Sequence, residues 1–101
     1  MIDKTTAIDT VLLKLKKLEP GHCLDLRTYK RNRSVVIKKI SADDFLVVEN
    51  GFEQAQFQTS FSKMGRILKL LLKREFPRST KIRLYDLGPC DPFKLREMKT
   101  L

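Results

Sequence analysis

Arg66, Lys69 and Lys73 recur at spacings of three and four, which on a helix sets three cations in one straight row. A row of cations suits a polyphosphate: each phosphate neutralised releases condensed counterions, so binding is favourable and salt-sensitive. Arginine adds two-pronged geometry toward phosphate oxygens. The row lies within SKMGRILKLLLKREFPRSTKIR, residues 62–83, which holds eight bases and one acid. Lys63, Arg74, Arg78, Lys81 and Arg83 complete the set. No acid stands four residues from these bases to pair with them on the helix. Like charges at helical spacing cost roughly 0.2–0.5 kcal/mol per pair, and a face shaped for solubility alone would mix signs. The competing account is a solvated face that keeps a small protein in solution.

A second group sits in RTYKRNR, where Arg27, Lys30, Arg31 and Arg33 surround Tyr29. An aromatic ring within a basic loop can stack on an unpaired base, the usual way single-stranded nucleic acid is read. Tyr85 beside Arg83 repeats the combination, although an ordinary cross-strand neighbour is the plainer role for Tyr29. Charge is segregated along the chain: residues 27–40 carry six bases and no acid, residues 41–58 four acids and no base, and residues 62–83 are basic again. The whole chain of 101 residues carries a net charge of +9. Such a balance speaks to partners rather than to fold.

Other chemistry is thinner. The only histidine, His22, is followed by Cys23, and consecutive strand residues face opposite sides, so they do not form a nucleophile–base pair. The two cysteines, Cys23 and Cys90, form no C-x-x-C, and with one histidine they cannot assemble an ordinary four-ligand zinc site. Two reduced, partly buried thiols are expected. Asp43-Asp44 reads as a turn rather than a divalent-ion site, and four isolated glycines make no phosphate-binding loop. A metal-free ribonuclease built on Lys, Arg and Tyr is compatible with the composition, but nothing points to it. No catalytic residue, metal or cofactor is expected.

The elements that must position the bases follow from periodicity. Ile8, Val11, Leu12, Leu15 and Leu18 make the apolar stripe of a first helix over residues 5–18. Thr6 with Asp9 forms a weak capping box, and Pro20-Gly21 stops the helix. Leu24, Leu26 and Thr28 alternate as a strand, KRNRS turns, and Val35-Val36-Ile37 is β-branched and strand-like. FLVVE is a third strand, Asn50-Gly51 suits a two-residue type I′ turn, and FEQAQFQT returns as a fourth with Gln54, Gln56 and Gln58 facing water. Ser60 or Ser62 caps a second helix that runs to Phe76, where Pro77 ends it. Its apolar arc contains Phe61, Met64, Ile67, Leu68, Leu71, Leu72 and Phe76, and Leu70 alone breaks the basic half. Val35, Ile37, Leu46 and Val48 are the strand residues expected against that arc. TKIRLYDL is a fifth strand.

The expected fold is therefore α+β, a two-layer sandwich of an antiparallel four-to-five-stranded sheet and two helices in the order α-β-β-β-β-α-β. Residues 1–88 form one domain and 89–101 a C-terminal tail. The second face of the sheet is apolar too, and Phe93, Leu95 and Met98 of the tail, or another copy of the chain, would cover it. In topology alone, helix then strands then helix resembles double-stranded RNA-binding domains and the small Alu-RNA-binding proteins of the signal recognition particle. SKMGR shares the Ser-Lys opening of the RNA-binding domain's second helix but lacks the following Lys and the Ala-rich continuation.

No apolar run reaches the length of a membrane span, and Asp3, Asp9 and Lys14 break the pattern of a secretory signal. A cytoplasmic, non-catalytic nucleic-acid-binding protein is expected, RNA favoured over DNA. The alternative is a protein–protein interaction module or homodimer whose basic face meets an acidic partner. The distribution of residues 27–40 and 62–83 over the folded surface discriminates the two: one shared face favours nucleic acid, opposite faces the interaction module.

Overall fold

A computed structural model describes residues 2–27, 33–50, 54–76 and 81–90. The Asn50-Gly51 turn conformation and the tail residues Phe93, Leu95 and Met98 lie outside them. The described elements are β1 (Ile2–Asp3), α1 (Lys4–Lys17), β2 (His22–Arg27), β3 (Ser34–Lys39), β4 (Asp44–Asn50), β5 (Gln54–Ser60), α2 (Phe61–Glu75) and β6 (Lys81–Pro89). The α+β class and both helices agree with expectation. The sheet has six strands rather than four or five, in the order β1-β6-β2-β3-β4-β5, and every neighbouring pair is antiparallel. The extra strand is β1, whose two residues pair with Ile82 and Lys81. Two residues are too few to show an alternation.

The meander β2-β3-β4-β5 is built from consecutive hairpins. Asn50 pairs with Gln54, so three residues rather than two join β4 to β5. Gln54, Gln56 and Gln58 are exposed as their alternation predicts. Both helices pack on one face. Ala7, Val11 and Leu15 of α1 and Met64, Leu68, Leu71 and Leu72 of α2 are buried against Leu24, Leu26, Val35, Ile37, Phe45, Val47 and Ile82 of the sheet. In β4 it is Phe45 and Val47 that meet the helices, not Leu46 and Val48. Val36 pairs with Val48 and Lys38 with Leu46, which puts these two β4 residues on the second face.

The helices run antiparallel. Lys4 of α1 donates from Nζ to the Phe76 carbonyl at 2.5 Å, whereas Leu12 lies beside Gly65, eleven residues earlier in α2. Neither helix has the side-chain cap expected of it. Asp43 Oδ1 instead accepts the Phe61 N–H at 3.1 Å, capping α2 from the turn before β4. Lys39, buried, closes the other helix: its Nζ donates to the carbonyls of Leu15 and Lys16 at 3.0 and 3.2 Å. A cation at a helix C-terminus is favoured by the unpaired carbonyls there.

On the second face Cys23, Val36 and Val48 are also buried, as the two-sided apolar pattern anticipated. Cys23 and Cys90 are joined in a disulfide, which overturns the expectation of two free thiols. The geometry is set locally. Gly21, at φ 90°, turns the chain into β2 and donates to the Lys39 carbonyl at 2.6 Å. At the other partner, the register shifts between Cys23 and Leu24, which pair with Gly88 and Asp86. Leu87 is thus the extra residue of a bulge, and Gly88 takes a φ of 67° that side chains disfavour. Cys90 arrives opposite Cys23 with a Cα–Cα separation of 6.0 Å, within the range a disulfide spans.

Candidate nucleic-acid interface

The second helix divides its circumference as its sequence does. Met64, Leu68, Leu71 and Leu72 are buried, while Lys63, Arg66, Lys69, Leu70, Lys73 and Arg74 are exposed. Among the described residues no acidic side chain forms an ion pair with Lys63, Arg66, Lys69 or Lys73. At the helical rise these four cations extend over about 15 Å. Leu70 stands among them at 56% exposure.

The first helix adds charge outside the two basic stretches. Lys14, Lys16 and Lys17 are exposed on α1, and like the α2 row they form no ion pair among the described residues. Because the helices are antiparallel, this end of α1 lies toward the start of α2. The signal is KLKK, residues 14–17, in which the bases flank the buried Leu15.

Other expected contact residues are placed elsewhere. Arg74 belongs to a different system: its Nε and Nη2 donate to Glu49 at 2.9 and 2.5 Å. The acid missing at pairing distance on its own helix comes from β4. Arg33 donates from Nη1 to the Glu75 carbonyl at 3.1 Å, at the C-terminal end of α2. Arg27 pairs with buried Asp25 at 2.6 Å and lies over the Tyr85 ring, 5.7 Å from its centre. Lys81 pairs with Asp3. Arg83, opposite Arg27 in the register, is half-buried. By strand alternation Arg27, Lys38, Lys81, Arg83 and Tyr85 belong to the second face, away from the helices. Tyr29, Lys30, Arg31 and Arg78 lie outside the described residues. Each basic stretch is therefore divided between the faces: Arg27 and Lys38 share the second face with Lys81 and Arg83, whereas Arg33 and Lys39 reach the helix side, where the α2 row lies.

Where Arg74 and Arg33 converge, two acids are buried. Glu49 and Glu75 are both fully inaccessible. Burial holds the Glu49 carboxyl above the ordinary carboxylate range, and its hydrogen bond to Glu75 and that neighbour's charge add to the rise. The Arg74 guanidinium opposes it without cancelling it.

Among the described residues no group of three or more His, Cys, Asp or Glu side chains is placed to hold a metal ion. Cys23, bonded to Cys90, offers no thiolate to His22. No described helix is long and apolar enough to cross a membrane. The molecule is thus an α+β protein with one antiparallel sheet, both helices on one side and a helix layer rich in unpaired cations. Comparison with known protein families, with curated proteins and with solved structures finds no match for this chain.

Proposed function

We propose that this protein binds nucleic acid, RNA in preference to DNA, through the outer surface of its helix layer and without catalysing a reaction. One observation carries the proposal: Lys63, Arg66, Lys69 and Lys73 stand exposed along α2 with no acidic partner among the described residues. Lys14, Lys16 and Lys17 extend the same layer. Cations held so close without counter-charges repel one another, and phosphates are the groups that relieve this while releasing counterions. The preference for RNA rests on Tyr29 within RTYKRNR, a stacking group suited to unpaired bases.

Titration of short single-stranded RNA and DNA at two salt concentrations tests the proposal. Changing Arg66, Lys69 and Lys73 together to Glu should weaken binding to a similar degree for every sequence and flatten the salt slope by about three phosphate contacts. No measurable affinity for any nucleic acid at low salt would end it. A second reading, an interaction module or homodimer meeting an acidic protein, is favoured by the division of basic residues between two faces and by exposed Leu70. Tighter binding to polyglutamate than to RNA at equal salt, or a dimer in sedimentation that Leu70→Ser disperses, would put that reading first. The disulfide supports an oxidising compartment, where such bonds persist, in place of the cytoplasm expected of two reduced thiols.

A further inference from the structure

Between the two helices lies a groove of about 520 Å³, lined by Lys4, Ile8, Lys69, Leu72 and Lys73. That volume is in the range of small-molecule sites, roughly 300–1,000 Å³. The groove sits one to two turns beyond Gly65, where a methyl group would meet Leu12 at only 3.6 Å. Ile8 is half-buried and Leu72 buried, so its floor is aliphatic. The lysine stems extend the apolar wall and carry their ammonium groups to the rim.

We infer that this groove binds a single-chain amphiphile with an anionic head, of which a free fatty-acid carboxylate is the simplest form. Three features of the lining select that chemistry. Among the described residues no carboxylate lines the groove to repel an anionic head. Lys69 and Lys73, one turn apart on the same face, have no acidic partner among the described residues and can receive one head between them. Lys4 marks the far end, its Nζ held on the Phe76 carbonyl. The chain of the amphiphile then covers Ile8 and Leu72, the uncharged groups among the described lining residues. A nucleic acid would use the rim and leave the floor empty; an uncharged alkane would leave the lysines unpaired.

Decanoate is the probe, added to the full chain with its disulfide intact and followed through the methyl resonances of Ile8 and Leu72. Saturable shifts at these two methyls are expected. Changing Lys69 and Lys73 together to Gln should weaken binding about tenfold or more, the worth of one charge-assisted hydrogen bond. Decanol, which has the chain without the charge, should bind as weakly as decanoate binds that variant. Inorganic phosphate, which has the charge without the chain, should leave both methyls unshifted. The inference is overturned if decanoate below its micellar concentration shifts neither methyl, if the double variant binds it equally well, or if decanol matches it. Lys63→Gln with Arg66→Gln lies off the groove. It should weaken RNA and leave decanoate unchanged, so failure of one proposal is distinguishable from failure of the other.

Discussion

Glu49 is an acid facing the helices at the end of β4, with Arg74 in front of it and Glu75 beside it. Its carboxyl holds a proton to higher pH in the folded chain than in the unfolded one. The folded state therefore binds more protons over that interval, and its stability falls as pH rises through it. The contribution is fully present at and below the ordinary carboxylate range and is lost above the raised titration of Glu49. Thermal melts at pH values rising from the ordinary carboxylate range should show a falling midpoint assignable to this group. Glu75→Gln keeps a hydrogen-bonding side chain and removes the like charge, so it should raise the midpoint at the alkaline end and flatten the dependence. An unchanged slope in that variant would place the titration elsewhere. Arg74→Ala should cost about 2 kcal/mol or more by denaturant unfolding, because it strands a buried acid. This cluster was not legible in the sequence. Arg74 and Glu49 are 25 residues apart, and a place on the basic half of α2 does not say which acid Arg74 meets.

The helices and the meander were legible because one period dominates in each. In α2 the apolar positions recur three and four apart, and in β5 the glutamines mark every second residue. The phase of β4 was not legible. Phe45, Leu46, Val47 and Val48 are apolar without a break, so alternation does not say which two face inward. Placing Glu49 outward, the ordinary choice for an acid, selects Leu46 and Val48; the fold buries Glu49 and takes Phe45 and Val47. Two substitutions examine the helix pair. Leu68→Ala should cost about 2–5 kcal/mol, as deletion of a fully buried leucine does, and a loss below about 0.5 kcal/mol would mean that α2 is rotated. Gly65→Ala meets only an ordinary contact at Leu12 and gains helix propensity, so it should stabilise by about 0.5–1 kcal/mol in the same assay.

At the scale of the whole molecule, the disulfide joins residues 67 apart in sequence. Spacing alone did not reveal it, since neither cysteine lies in a recognisable motif. The pairing depends on β6 lying beside β2 and on the bulge at Leu87. In the chain-entropy account, closing a loop of this length restricts the unfolded state by about 4 kcal/mol. Melts with and without reductant should differ by a comparable amount at the same pH; coincident melts would mean that the reduced chain is restrained in some other way. The same bond makes residues 23–90 a covalent ring, which the chain enters from the first helix at Cys23. The connections 28–33, 51–53 and 77–80 all belong to the ring. A protease that cuts any one of them opens the ring without releasing a fragment. A singly nicked protein should therefore migrate as one band until reductant is added, and only then as two.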